Sequence, residues 1–154
     1  AEMASDYTYK YDLLRNYLHL LIHEAMKMRP AERFEKYTNA STRITSLFME
    51  LLERQFPIDT PEHALRLKTA ADYAQRLSLH VNSLNRSVKE VTGKTTTDHI
   101  AGRIIREANA LLQHTNWTIA DIAYGLGFDE PAYFTTFFRK QTGQSPHSLR
   151  NSLV

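Results

Sequence analysis

The chain carries one pattern twice. Thr69, Asp72, Ala74 and Leu77 are matched 49 positions later by Thr118, Asp121, Ala123 and Leu126. After a one-residue insertion the match resumes 50 positions apart, pairing Leu84 with Phe134, Val88 with Phe138, Lys89 with Arg139, Thr92 with Thr142 and Gly93 with Gly143. Each copy opens on a hydroxyl residue followed three positions on by an acid, the reciprocal cap of a helix N-terminus. Each then has an alanine in mid-helix, where another helix can approach closely, and a short break at Ser78 to His80 or Gly127 to Asp129. A second helix follows and ends on a glycine, the residue that takes the left-handed C-cap conformation without a side-chain penalty. Helix, short turn and helix make a helix-turn-helix unit, so the fold class expected is all-α with two such units.

One amphipathic helix is expected between the units, from about Asp98 to His114, with Ile100, Ile104, Ala108, Leu111 and Leu112 on one face and a cap in the Thr95 to Thr97 run. It joins the two units at a fixed distance. A last helix is expected to begin at Ser145 and Pro146, a cap residue followed by proline in the first turn. Upstream, Tyr7, Tyr11, Leu14, Leu18, Leu21, Ala25 and Met28 form a heptad seam, the mark of a helix lying along another helix. Arg29 and Pro30 end it. A second pattern through Phe34, Tyr37, Ser41, Ile44, Phe48, Leu51 and Gln55 predicts a helix over roughly residues 31 to 55, with a break near Thr38 and Asn39. Two helices with a short connection make an antiparallel hairpin. Pro57 and Pro61 cannot continue it and mark a boundary. The expected organisation is a helical hairpin over 1–56 acting as a dimerisation segment, a linker over 57–67, and a domain of two helix-turn-helix units over 68–154.

Composition narrows the chemistry. With no cysteine, the chain has no disulfide framework, no thiol nucleophile, no iron–sulfur cluster and no thiolate zinc site. No apolar run is long enough to span a bilayer, and a cytoplasmic home is expected. The net charge of +2 divides unevenly: 8 Lys and Arg against 9 Asp and Glu up to Pro61, then 11 against 8 from Glu62 onward. The C-terminal part is thus the one suited to an anionic partner. His19 and His23 lie one helical turn apart and His23 with Glu24 begins like a zinc-protease motif, but Lys27 stands where the second histidine must be. No metal is expected there. Gly125 and Gly127 lack the third glycine and the preceding strand of a dinucleotide loop, and Trp117, just before a cap, reads as a packing residue. With no acid–base or nucleophile constellation, neither catalysis nor a cofactor is expected.

The C-terminal half resembles a known family. Ile119, Ala120, Asp121, Ile122 and Ala123, then Gly127, Phe128, Tyr133, Phe134, Phe137 to Lys140, Gly143, Ser145, Pro146, Leu149 and Arg150 are similar to the C-terminal signature of the AraC/XylS family of bacterial transcription regulators. Leu84, Asn85, Arg86, Lys89, Glu90, Thr92 and Gly93 resemble its first unit, and Arg103, Ile104, Glu107, Ala108, Leu111 and Leu112 its linking helix. The likeness runs from about Lys68 to Arg150. It implies a DNA-binding domain that places two recognition helices in successive major grooves, which recur about every 34 Å on one face of the duplex. Double-stranded DNA is then the partner, homodimerisation falls to the N-terminal helices, and RNA polymerase is a further candidate partner. Members often carry a ligand-sensing barrel ahead of such a hairpin, so this chain is expected to be the C-terminal part of a longer ligand-responsive regulator.

Asn82, Ser83, Asn85 and Arg86 fall on the face of the first recognition helix away from Leu84 and Val88, and Asn and Arg are the types that make two-bond contacts to adenine and guanine. In the second helix Pro131, Ala132 and Thr136 stand where the family often has polar residues and an Arg. Thr136, the repeat partner of Arg86, is retained as a base-reading candidate. Lys68, Thr69, Lys89, Lys94, Thr118, Thr135, Arg139 and Lys140 are the candidate phosphate contacts. The competing reading is an all-helical protein-interaction module that does not bind DNA.

Overall fold

In this computed structural model, which describes residues 40–152 together with residues 17, 18, 20 and 21, seven helices follow one another over residues 40–152. They are α1 (Ala40–Glu53), α2 (Ala70–Arg76), α3 (Val81–Thr92), α4 (Thr96–His114), α5 (Ile119–Gly125), α6 (Pro131–Thr142) and α7 (Pro146–Ser152). No helix of the described residues is long and apolar enough to cross a membrane. The pairs α2–α3 and α5–α6 are the two repeats, and α4 joins them.

The starts of α2, α4 and α5 are set by three copies of one device. Thr69, Thr95 and Thr118 accept from the amides of Asp72, Asp98 and Asp121, whose carboxylates accept in return from the three threonine amides at 2.8, 3.1 and 2.9 Å. These bonds satisfy donors that a helix N-terminus leaves open. They also hold the three carboxyls below their ordinary range: the Lys68 amide contributes most at Asp72, the Thr95 hydroxyl at Asp98 and the Thr118 hydroxyl at Asp121. The second helices end alike. Gly93 and Gly143 have φ of +75° and +82° and donate to the Lys89 and Arg139 carbonyls, each at 2.9 Å. Just before them, the Thr92 and Thr142 hydroxyls donate to Val88 O and Phe138 O.

Packing follows the repeat. Tyr73 and Ile122, Ala74 and Ala123, Leu84 and Phe134, and Val88 and Phe138 are equivalent pairs, and all are buried. The apolar face of α4, with Ile100, Ile104, Ala108, Leu111 and Leu112 buried, receives both units, as the sequence pattern anticipates. The helix begins at Thr96, two residues earlier than expected, with Thr95, the first of the threonine run, as its cap.

The N-terminal boundary differs from the expected one. The compact unit begins at Asn39, not after residue 56. Helix α1 packs along α3, with Phe48 and Leu52 buried and the Phe48 ring edge-on to Tyr73 at 5.2 Å. Of the stripe read as the inner face of a hairpin, Phe48 and Leu52 are buried and Ile44 and Leu51 half-buried against the first helix-turn-helix unit, while Phe34 and Tyr37 lie outside the described residues. Segment 57–67 is not a free spacer either, since Ile58 and Leu65 are each 5% exposed. The prolines stop the helix but do not end the domain. Of the other unit, residues 1–38, the described Tyr17, Leu18, Leu20 and Leu21 are helical with exposed side chains. The rest of the expected heptad seam, the first arm of the hairpin, His19 and His23 lie outside the described residues.

Candidate nucleic-acid interface

The inward side of α3 is fixed by Leu84, Ser87 and Val88, all buried. That register turns Asn82, Asn85, Arg86 and Lys89 outward into exposure, with Ser83 half-buried beside them. Among the described residues the side chains of Asn82, Asn85, Arg86 and Lys89 take part in no protein hydrogen bond, so two amides and two cations stand on one helix face with their donors unused. The helix is held at both ends. His80 caps it, its Nδ1 accepting from Asn82 N at 3.2 Å, and His99 Nε2 of α4 meets the Thr92 hydroxyl at 2.8 Å near its C-terminus. Burial leads in lowering the proton affinity of His99, with the Lys94 charge adding to it.

Helix α6 presents different chemistry. Pro131 opens it without a side-chain cap, and Phe134 and Phe138 are fully buried. Phe128 packs against Phe134 and Phe137 at 5.4 and 5.3 Å, so three phenylalanines of this helix face its own unit. Ala132, Thr136, Arg139 and Lys140 are exposed, Thr135 is half-buried and Tyr133 is 62% exposed. The Thr136 hydroxyl donates to the Ala132 carbonyl at 3.0 Å within the helix. It therefore keeps lone pairs for a partner but no proton, whereas a base edge read with two bonds needs a longer, unengaged side chain.

The remaining phosphate candidates fall into two groups. Lys94 is exposed with its ammonium unpaired among the described residues, as are those of Lys89 and Lys140 and the guanidinium of Arg139. Lys68, Thr69 and Thr118 have partners inside the fold. Lys68 Nζ donates to the Gly127 carbonyl at 2.6 Å and lies 4.0 Å from Asp129. The Thr118 hydroxyl donates to Asp121 at 2.6 Å, and Thr69 is occupied by its cap. An aspartate already sits at each of these two helix N-termini, where a phosphate would otherwise find open amides and a favourable dipole.

Glu107 and Arg103 of α4 organise the base of the site. Glu107 lies in register with the buried face of α4 and is 6% exposed, accepting from Ile58 N at 2.7 Å and from Arg103 Nη1 at 3.0 Å. Arg103 also reaches Glu53 at 2.8 Å and stacks on the Phe56 ring at 3.8 Å. An acid set among Ile104, Ala108 and Leu111 is the readable sign of such a partner, because a lone buried carboxylate is strongly disfavoured.

Comparison with known proteins agrees with this geometry. A family model described as a helix-turn-helix domain matches residues 73–152, just over half of the chain. The HTH-type transcriptional activator RhaS of Escherichia coli O139:H28 is 28% identical over 123 residues, covering 80% of this chain and 41% of the relative. The chain thus spans about two fifths of the length of the curated relatives it matches. Among solved structures, the C-terminal domain of AraT, a response regulator from Geobacillus stearothermophilus, superimposes with a TM-score of 0.62 at 25% identity, covering 74% of this chain and 88% of that one. The DNA-binding domain of the transcriptional factor AdpA, solved with a target DNA, shares the fold with a TM-score of 0.56 at 20% identity, covering 71% and 90% of the two chains.

Proposed function

The chain belongs to the AraC/XylS family of helix-turn-helix transcription regulators, a family of non-enzymatic DNA-binding proteins, and we propose that its two units divide the work of recognition. Helix α3 reads base edges through Asn82, Asn85 and Arg86, with Ser83 at the margin. Helix α6 holds the duplex through Arg139, Lys140 and Thr135, and Thr136 contributes at most a single acceptor to a base. Lys89 and Lys94 add phosphate contacts beside the first unit. Lys68, Thr69 and Thr118 contribute mainly by fixing the helix ends that frame these contacts.

The observation that carries this reading is the contrast between Arg86, exposed with its guanidinium unpaired among the described residues, and its repeat partner Thr136, whose proton is bound to the Ala132 carbonyl. A guanidinium bonds both acceptors of a guanine, whereas phosphate contacts position the protein without sequence information. The test is a binding selection on randomised duplexes with three variants. Arg86→Ala is expected to cost about 1–3 kcal/mol on the preferred sequence and to relax one base position. Thr136→Ala should cost less, and Arg139→Ala should weaken all sequences alike. A selection in which Thr136→Ala changes the preferred sequence and Arg86→Ala does not refutes the division.

The wider reading follows from the family. The chain acts on DNA in the cytoplasm as part of a longer ligand-responsive regulator, pairs with a second copy through the residues that precede α1, and meets RNA polymerase once bound. The seam from Tyr7 to Met28 supports the pairing.

A further inference from the structure

The internal repeat provides its own control for the turn of the second unit. Leu77 and Leu126 are equivalent, so Arg76 and Ser78 of the first unit correspond to Gly125 and Gly127 of the second. Both turns take the same left-handed step, with φ +55° at Ser78 and +80° at Gly127. A serine suffices for the first, and the turn alone therefore does not call for glycine in the second. What differs is the neighbour. Arg76 and Ser78 are exposed, whereas a β-carbon at Gly127 would stand 2.8 Å from the Leu65 carbonyl oxygen and one at Gly125 would stand 3.2 Å from Ile58 Cγ2. The two glycines form a seat for segment 57–67.

That segment leaves the first unit, crosses to the second and returns. Gln55 closes its base, accepting from the amides of Arg66 and Leu67 at 3.2 and 2.8 Å and donating to the Leu67 carbonyl at 3.1 Å. Tyr73 of α2 donates to the same carbonyl at 3.2 Å. Between these points Ile58 N is held by Glu107 of α4, Leu65 N donates to the Gly125 carbonyl at 3.0 Å, and Lys68 Nζ bonds the Gly127 carbonyl. The main helix–helix packing lies within each unit, between α1 and α3, or on α4. Direct ties from the first unit's side to the second unit's turn are thus concentrated in this segment.

We propose that residues 57–67 are a strap that sets the separation and angle of the two recognition helices, so that Ile58, Leu65, Lys68 and Glu107 are positioning residues for the spacing of the DNA contacts. One linking helix fixes a distance but resists rotation of a unit about its own axis poorly. A second attachment off that axis removes the freedom. The spacing between the two parts of an operator then depends on the strap, and the bases preferred within each part do not.

The test has one readout without DNA and one with it, and only the second rests on the DNA-binding reading. Because the chain has no cysteine, Val91→Cys and Gln141→Cys, at equivalent exposed positions near the ends of α3 and α6, place two spin labels cleanly. Pulsed dipolar spectroscopy on the full chain, the labelled protein diluted in an excess of unlabelled protein so that only distances within one copy are read, should give a single narrow distance peak. Gly127→Ser, which copies the first unit's turn but meets Leu65, should lose that narrow peak, and Ser78→Gly should keep it. Ile58→Ala, which leaves the turn itself untouched, is the second variant in case Gly127→Ser does not fold. In a selection with the spacer between the two half-contacts varied, the strap variants should accept spacers that the unaltered protein rejects, with unchanged preference inside each half. A narrow peak retained in folded Gly127→Ser and Ile58→Ala, or a wide one in the unaltered protein, overturns the strap. If the unaltered protein selects no sequence while the peaks behave as expected, the DNA-reading assignment fails and the strap stands.

Discussion

Replacing Glu107 tests how the fold holds its two units in place. The carboxylate is 6% exposed and has two tasks, accepting from the buried Ile58 amide at 2.7 Å and from Arg103 at 3.0 Å. Glu107→Ala leaves the Ile58 N–H without a partner, which costs about 1–3 kcal/mol, and removes a charged hydrogen bond of about 1.5–3 kcal/mol. Arg103 retains Glu53 at 2.8 Å and the Phe56 ring, so the loss stays near the lower end of the about 3–5 kcal/mol seen when a buried pair is broken. A value of about 3 kcal/mol is expected. Glu107→Gln keeps an amide oxygen for Ile58 and loses only the ionic part, about 1 kcal/mol. Urea unfolding followed by the fluorescence of Trp117, the sole tryptophan, measures both. With a slope of about 2 kcal/mol per M, the alanine midpoint should fall by about 1.5 M and the glutamine midpoint by about 0.5 M. Equal shifts for the two variants refute the claim that Glu107 holds the strap through the Ile58 amide.

Three further outcomes are expected. With Lys68 engaged by the Gly127 carbonyl, four cations (Lys89, Lys94, Arg139 and Lys140) remain for phosphates, so the logarithm of DNA affinity against the logarithm of salt should have a slope of about −3.6, and a flat line on every duplex would count against DNA binding. Leu14→Asp with Leu18→Asp should shift sedimentation of the chain from dimer to monomer, and an unaltered protein that is already monomeric at tens of micromolar removes the proposed role of the N-terminal residues. The lowered carboxyls of Asp72, Asp98 and Asp121 contribute stability that is present above their ordinary value of 3.8 and is lost as the pH falls below it toward the folded values. Thr118→Ala should therefore destabilise the protein more at pH 6 than at pH 3 in urea melts, and an equal effect at both would show that the cap carries no linked charge.

The repeat makes most of this fold legible in the sequence. Cap threonines, buried alanines and closing glycines are local signals with fixed spacing, and each is found where its chemistry requires it. What local signals do not encode is which surface covers which. Phe48 and Leu52 announce a buried stripe but not its partner, and so α1 reads as a hairpin arm although it covers α3. Pro57 and Pro61 announce a helix stop, which resembles a domain boundary, yet Ile58 and Leu65 are apolar residues within the same segment and mark it as packed. The outward face of α3 was readable from Leu84 and Val88 by periodicity alone. The engagement of Lys68 was not, because its partner is a backbone carbonyl 59 residues away.

The divergence between the two recognition helices has a packing cause that bears on their roles. Ser87 and Phe137 occupy the same repeat position, 50 residues apart. In the first unit α1 lies along α3, and the residue there is small and buried. In the second unit the helix that precedes α5 is α4, which the first unit shares, and α7 spans only Pro146–Ser152; here the position carries a ring, and Phe137 packs on Phe128, which also meets Phe134. A helix that devotes positions 134, 137 and 138 to a wide apolar stripe has fewer positions left for polar side chains on its outer face. Covering α3 with a separate helix narrows its own apolar stripe and frees Asn82, Asn85 and Arg86 for a partner. The same arrangement places α1 directly on the helix proposed to read bases, whereas α6 packs against α4, α5 and α7.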